Sequence, residues 1–317
     1  MSVYNKYSDH LRQRYGQKVY KLPINLPVTC PNRDGTAGLN GCAFCGEDGA
    51  GFESHPQSMP VAEQIRLDTL RIAPKYKARK FIAYFQNFSN TYLPVEELEA
   101  YVMEACQPDI VGIAISTRPD CINQQQLQIL NRIQAATGVD ITVELGLQTV
   151  NYRTLAAMNR GHTLAEFLDA VLRIKAHSLE VCAHLILNLP GDDWLDVIEN
   201  AKILSAMRVD QVKLHALYIM NGTKMAEWYE AGTIQLISQT EYIERVVAFL
   251  SYLHPEIVVQ RLIGRAPREG TVFVNWQTSW WKIQEQIEQR MIELDIRQGC
   301  KCDYLNGSAT NKRFGSI

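Results

Sequence analysis

The sequence predicts an α/β fold, a partial (β/α)6 barrel of the TIM type followed by a C-terminal α/β extension. Three observations carry this. Apolar, strand-like runs alternate with helix-like stretches every 30–40 residues or so (about six units), the pattern of a parallel sheet with covering helices. Several runs carry a polar face at period two, unlike the uniformly apolar strands of a sheet buried on both sides, which points to a wet interior within a ring of strands. The chain of 317 residues is 46% hydrophobic and 21% charged, enough for one large core and unlike disordered, collagenous or low-complexity chains. A doubly wound open sheet is the competing arrangement.

The strand-like runs occupy residues 19–26, 80–88, 109–117, 141–149, 181–189 and 211–220. Stretches of helical composition lie between them at 61–73, 95–106, 124–136, 164–177 and 192–207. In the fourth run Thr142, Glu144, Gly146 and Gln148 share one parity, against Val143, Leu145 and Leu147. In the fifth, Cys182, His184, Ile186 and Asn188 share one, and in the third Gly112, Ala114, Ser116 and Arg118 do. The polar residues crowd toward the C-terminal strand ends, where parallel barrels place their sites. A few hydrogen-bonded polar core residues are the plainer alternative. After Met220, residues 238–253 read as a helix with Ser238 and Glu241 at capping-box spacing, 256–263 as a strand and 279–296 as a long final helix. The chain thus divides into a basic N-terminal segment (1–18), the partial barrel (19–235) and an extension closing one side of it (236–317).

With 32 Lys and Arg against 34 Asp and Glu, the net charge of −2 supplies no global field for nucleic acid, so such binding needs a local patch. Lys6, Arg12, Arg14, Lys18 and Lys21 face only Asp9 within residues 1–21. Arg261, Arg265 and Arg268 cluster again, followed by Trp276, Trp280 and Trp281. Cations and aromatics together suit the phosphates and unstacked bases of an RNA loop, and equally an ordinary solvated surface over core tryptophans. The first twenty residues lack an apolar signal-peptide region, and the longest apolar run, 246–253, is far short of the roughly 18–20 residues that span a bilayer. A cytoplasmic location without membrane contact is expected, with thiols kept reduced.

Eight cysteines are too few for a disulfide scaffold in a chain this long. Cys30, Cys42 and Cys45 follow the first strand at C-x11-C-x2-C spacing, in a loop with four glycines up to Gly46. Three soft ligands suit an iron–sulfur cluster with one iron left open. Zinc, with His55 as fourth ligand, and a redox C-x2-C pair are the alternatives. Cys106, Cys121 and Cys182 read as packing residues. Cys300 and Cys302 read as a redox or auxiliary metal pair, or as a plain surface tail.

At the cysteine loop the chain resembles the radical S-adenosylmethionine (SAM) enzymes, with Phe44 matching the aromatic residue before the last cysteine. The long first gap is that of the branch containing the catalytic subunit of Elongator. Ser116-Thr-Arg-Pro-Asp120 resembles that branch's ETRPD segment, with Ser116 in place of Glu, and Val143-Glu-Leu-Gly-Leu-Gln-Thr149 its VELGVQS strand. Asn159-Arg-Gly-His-Thr163 contains its RGHT turn. His184-Leu-Ile-Leu-Asn-Leu-Pro-Gly191 resembles HMMPNLPG, and Asn221-Gly-Thr223 before Trp228 resembles the RGT-helix segment. The usual glycine-rich segment after strand two is replaced by Phe85-Gln-Asn-Phe-Ser-Asn-Thr91, and there is no room for Elongator's acetyltransferase domain. The shorter architecture, with Arg-Leu-Ile-Gly-Arg-Ala-Pro ending at Pro267, is similar to the small bacterial YhcC/YtqA-like family, which has been tied to wobble uridines of transfer RNA.

The resemblance implies that Cys30, Cys42 and Cys45 hold a [4Fe–4S] cluster and that SAM is cleaved reductively to a 5′-deoxyadenosyl radical, with the electron from a donor such as flavodoxin or ferredoxin. Arg160 is the candidate for the SAM carboxylate. Gln148 is the candidate for the ribose or carboxylate, and Phe44 for the adenine. Gln86 and Ser116 are further candidates on the cofactor side. Glu144 would take the ribose hydroxyls or amino group, or else form a buried ion pair with Arg118 or Lys213. His184, Lys213 and His215 share the interior face and are candidates for acting on substrate or donating protons, each equally readable as a core residue. Transfer RNA is the expected partner.

Overall fold

The computed structural model describes residues 2–46, 49, 54–265, 267 and 269–315. Six parallel strands run in chain order: β1 (Val19–Ile24), β2 (Lys80–Phe85), β3 (Ile110–Thr117), β4 (Asp140–Gln148), β5 (Glu180–Ile186) and β6 (Gln211–His215). The chain then leaves the sheet for β7 (Ile219–Met220) and returns as β8 (Val258–Arg261), the seventh parallel strand, beside β6. β9 (Thr271–Phe273) pairs antiparallel with β7 in a separate ribbon. The sheet is a curled half-barrel, and the expected strand over 256–263 belongs to it. The sixth run, read as one strand over 211–220, is two, because only residues 211–215 find a partner on β5.

Helices α2 (Val61–Tyr76), α3 (Val95–Ala105), α4 (Gln124–Thr137), α6 (Leu164–Ala176) and α7 (Trp194–Ala206) cover the outside. Their boundaries have local causes. Asn123 and Gln126 form a capping box at the start of α4, Thr163 and Glu166 at α6, and Asp193 and Asp196 at α7. Gly138 ends α4 in the left-handed region, at φ 72°. The outward parity of the strands, among it Ile113, Ile115, Val143, Leu145 and Val181, packs on these helices in one continuous core with Leu127, Phe167 and Leu204. α9 (Gln239–Tyr252) and α10 (Trp280–Glu293) extend the same core through Tyr242, Phe249, Ile283 and Ile287.

Three short helices fall where no helix is expected from the sequence: α1 (Tyr7–Tyr15), α5 (Tyr152–Ala157) and α11 (Ser308–Phe314). A fourth, α8 (Lys224–Glu230), follows the Asn221-Gly-Thr223 segment and is capped by Thr223. α1 buries only Leu11, with Tyr7 and Tyr15 packed beside it, and it lies along β1 and β8 at the open edges of the half-barrel. Two cations are ion-paired: Lys6, at its N-cap, with Glu288 of α10 at 2.7 Å, and Arg14 with Asp140 on β4 and Glu180 on β5.

Two irregularities in the sheet aim side chains inward. At the end of β4 the register with β5 slips between Gly146 and Gln148, and Gln148 sits at φ 76°. A left-handed non-glycine residue costs on the order of 1 kcal/mol and concentrates at functional sites. On β8 the register slips so that Val212 faces Val259 and Lys213 faces Arg261. The extra residue, Gln260, lets both Gln260 and Arg261 reach the interior.

Candidate active site

The loop carrying Cys30, Cys42 and Cys45 is clamped over the C-terminal strand ends by main-chain and amide bonds. Ala43 N donates to Met158 O at 3.0 Å, Met225 N to Ala43 O at 2.8 Å, and Asn159 Nδ2 to Gly41 O at 2.7 Å. Asn32 Nδ2 donates to Asn159 O. Close approach requires glycine here. At Gly161 (φ 69°) a Cβ would lie 2.6 Å from Asn32 Oδ1, and at Gly38 it would lie 2.3 Å from the same atom.

The three thiols line a cavity of about 300 Å3 together with the inward faces of β2 to β6. Their sulfurs do not all come within 4.8 Å of one another. A single zinc ion, with Zn–S bonds near 2.3 Å, would need them about 3.8 Å apart. His55, the expected fourth zinc ligand, instead faces Asp68 at 3.2 Å. The donor set fits a cluster broader than one ion. Arg160 Nε is buried without a partner, and so is Ser89 Oγ on the cavity wall, leaving polar groups for a bound cofactor.

Arginines surround the thiols. Arg160, nearly fully buried, donates from Nη1 to Cys42 Sγ at 3.1 Å and from Nη2 to Gly146 O at 2.7 Å. Arg33 Nη2 lies 3.2 Å from Cys45 Sγ. Burial and the neighbouring Cys42 push the Cys45 thiol up, against the pull of Arg33. Arg118 pairs in two bonds with Asp120 and supports Arg160 O at 2.7 Å. His162, not singled out from the sequence although it lies in the RGHT segment, has its Nε2 3.0 Å from Gly146 O. Burial, then Arg160 and Arg118, lower its pKa to about 3, so its ring is neutral. Asn32 and Arg33 were also missed, and their adjacency to Cys30 was the available signal.

Below this, the barrel interior holds one buried ionic network. Glu144, fully buried, accepts from Lys21 and Gln260 (3.1 Å) on Oε1, and from His184 (2.7 Å) and Lys213 (3.0 Å) on Oε2. Burial alone would raise its pKa, but Lys21, Lys213 and His184 hold it well below the carboxylate range. The alternatives for Glu144 therefore resolve to an ion pair with Lys213 and Lys21. Both its oxygens are engaged by protein, and Arg118 is committed to Asp120. Ser116 is drawn into the same network, donating to Tyr84 Oη at 2.9 Å, which also accepts from Lys213 at 2.8 Å.

His184 is lowered to about 4 by burial and Lys213, and His215 well below its ordinary value by burial and Arg261. Neutral imidazoles at pH 7 can accept a proton but hold none spare to act as imidazolium acids. Glu144, Cys182 and His184 have donor atoms within 4.8 Å, but the two lysines occupy the carboxylate where a metal would bind.

Gln86, Gln148 and Phe44 line the cavity, and Phe44 also packs with Met158, Ile186 and Leu217. The expected surface patch changes. Arg261 points inside, 2.6 Å from His215 Nδ1, because of the β8 bulge, and Lys6 and Arg14 are ion-paired. Arg12, Lys18 and Arg265 are exposed, and Arg268 lies outside the described residues. Trp276 is a packing residue, its indole donating to Ile237 O at 2.8 Å, whereas Trp280 and Trp281 are exposed. Cys300 and Cys302 are free thiols. No helix among the described residues is long and apolar enough to cross a membrane.

Residues 25–204 match the Radical SAM superfamily and residues 209–293 the Radical_SAM C-terminal domain. The chain belongs to the radical SAM superfamily. Within it, the chain is 35% identical to YtqA of Bacillus subtilis over 297 residues (93% of this chain, 92% of YtqA). It is 33% identical to YhcC of Escherichia coli over 294 residues (92% and 94%), which places it in the YhcC/YtqA-like family. A more distant match, 26% over 171 residues, is to the tRNA uridine(34) acetyltransferase of Methanocaldococcus jannaschii, covering 52% of this chain and 30% of that protein. The archaeal Methanocaldococcus infernus Elp3 shares the fold, with a TM-score of 0.67 at 18% identity over 94% of this chain and 68% of Elp3. Members of this superfamily bind a [4Fe–4S] cluster and SAM, and those are the cofactors of this radical SAM protein; radical SAM enzymes generally draw on a reductant such as flavodoxin or ferredoxin.

Proposed function

We propose that this radical SAM enzyme acts on transfer RNA, in modification of the C5 side chain of the wobble uridine, with Cys30, Cys42 and Cys45 as the cluster ligands. The observation that carries the enzymatic part is the three-cysteine loop set over an interior polar cavity. The RNA part is supported by the relative named for tRNA uridine 34 and by the Elp3-like fold. It is an analogy from relatives rather than from the site itself.

When bound, the cluster and SAM supply one-electron reductive cleavage of the sulfonium bond. The protein's own residues do the rest. Arg160 and Arg33 donate hydrogen bonds to the sulfurs of Cys42 and Cys45. Gln86, Gln148 and Phe44 form the wall beside the cysteines, where SAM would be oriented. His184, Lys213 and His215 line the same cavity and would face the substrate.

Two measurements test this. Anaerobic reconstitution with SAM and reductant should yield 5′-deoxyadenosine, and its absence would sink the enzymatic reading. Mass spectrometry of transfer RNA nucleosides from a deletion strain should show an altered wobble uridine. An unchanged profile with 5′-deoxyadenosine still formed removes RNA as the substrate.

A further inference from the structure

We propose that Arg261, with Lys213 and His215, binds an anionic group of the substrate, a carboxylate or a phosphate, inside the barrel. The proposal rests on the cavity being the catalytic one and not on the substrate being RNA.

The first argument is placement. One extra residue in β8 turns Arg261 inward, and Gly264 leaves room for it: a Cβ there would stand 3.2 Å from Arg261 Nη2. Arg261 lines the same cavity as the three cysteines, as do Lys213 and His215. It lies three strands across the sheet from Gly146, where Arg160 meets the cysteine loop. A second groove, of about 530 Å3 beneath α1, is also lined by Lys21, Lys213 and Arg261, so the layer is reached from two directions.

The second argument is charge. Among the described residues lining the main cavity, Glu144 is the single carboxylate. Lys21 and Lys213 both pair with it. Arg261 finds only neutral acceptors, Leu214 O at 3.3 Å and the His215 ring. Its Nη1 hydrogens meet no hydrogen-bond acceptor among the described residues. A guanidinium carries five donors in a fork matched to carboxylate and phosphate oxygens. Desolvating three cations around one carboxylate is costly unless a further anion joins them. A network with excess charge of one sign, facing a cavity, is the arrangement expected of a binding site for the opposite sign.

The test uses iron-loaded, full-length protein titrated calorimetrically with sodium acetate or inorganic phosphate at constant ionic strength. Saturable binding of either anion is expected, weakened about tenfold or more by Arg261→Gln, partly restored by Arg261→Lys and unchanged by the surface variant Lys224→Gln. Preference for acetate assigns a carboxylate, and preference for phosphate assigns a phosphate. Should Arg261→Gln fail to fold, judged by circular dichroism and iron content, Gly264→Ala carries the test by crowding the guanidinium. No saturable binding by either anion, or equal binding by the wild type and the folded variant, overturns the proposal. An unaltered nucleoside profile in the deletion strain would remove RNA yet leave this result standing.

Discussion

Arg160 Nη1 lies 3.1 Å from the sulfur of Cys42, and the same guanidinium anchors on the carbonyl of Gly146. A positive donor on a cysteine sulfur favours the more negative, reduced state of a cluster bound there. Arg160→Gln should keep its iron, since all three thiols remain, but lower the midpoint potential by roughly tens of millivolts. A redox titration followed by electron paramagnetic resonance checks this, and an unshifted potential would refute it.

The cysteines divide by position. Cys30, Cys42 and Cys45 line the cavity, whereas Cys106 donates to Val102 O within α3. Serine at any one of the three cavity positions should abolish most of the iron and the visible absorbance of the cluster. Cys106→Ser should retain both. A Cys42→Ser protein with a full iron load would contradict the ligand assignment.

Glu144 pairs with two lysines in a buried setting, so breaking the network from one side leaves charge stranded. Glu144→Gln should destabilise the fold by about 3–5 kcal/mol in urea titrations. Adding Lys213→Met should recover part of that loss, because the stranded cation goes with it. The coupling between the two is what a double-mutant cycle would read.

Acid stability has a defined sign. His162 and His184 have folded pKa values of about 3 and about 4, below the 6.5 of a free histidine. Between these values the unfolded chain binds more protons, so stability falls as pH drops below 6.5. Asp192 acts in the opposite sense: burial raises its carboxyl to about 6, so its cost grows as pH rises from 4 through 6. Thermal unfolding across pH 4–7.5, run at half-unit steps or so, should show His162→Asn with a shallower acid slope than the wild type. Asp192→Asn should gain stability chiefly above pH 6. A parallel shift of either variant at every pH would contradict the assignment.

Most of the half-barrel was legible because its signals are local: parity along strands, capping boxes and a loop of spaced cysteines. What was not legible depends on where separate segments meet. Arg261 reads as a surface cation in Arg-Leu-Ile-Gly, since nothing in that stretch announces a bulge against Val212. From the sequence Glu144 stands between a SAM contact and a buried pair with Arg118 or Lys213, and Lys21, which also pairs with it, belongs to a strand three places away in the sheet. α1 carries a single buried apolar side chain, too weak a periodicity to read, and is held instead by the sheet edges beneath it. His162 lay within a recognised turn, yet only its contact with Gly146 O reveals its place beside the cysteines.

The strap at residues 3–6 closes on the far end of the chain. Asn5 O accepts from Val259 N, Asn5 N donates to the Gln298 side chain, and Val3 O accepts from Gln298 N. These bonds span up to 295 residues, from Val3 to Gln298. Such a seam cannot form until residue 298 has left the ribosome, however early β1 to β6 assemble. Long-range closure of this kind is slow, and the open sheet edges are exposed until it occurs. The β8 edge at Val259 is thus covered by residues 3–6 only once Gln298 is available to anchor them.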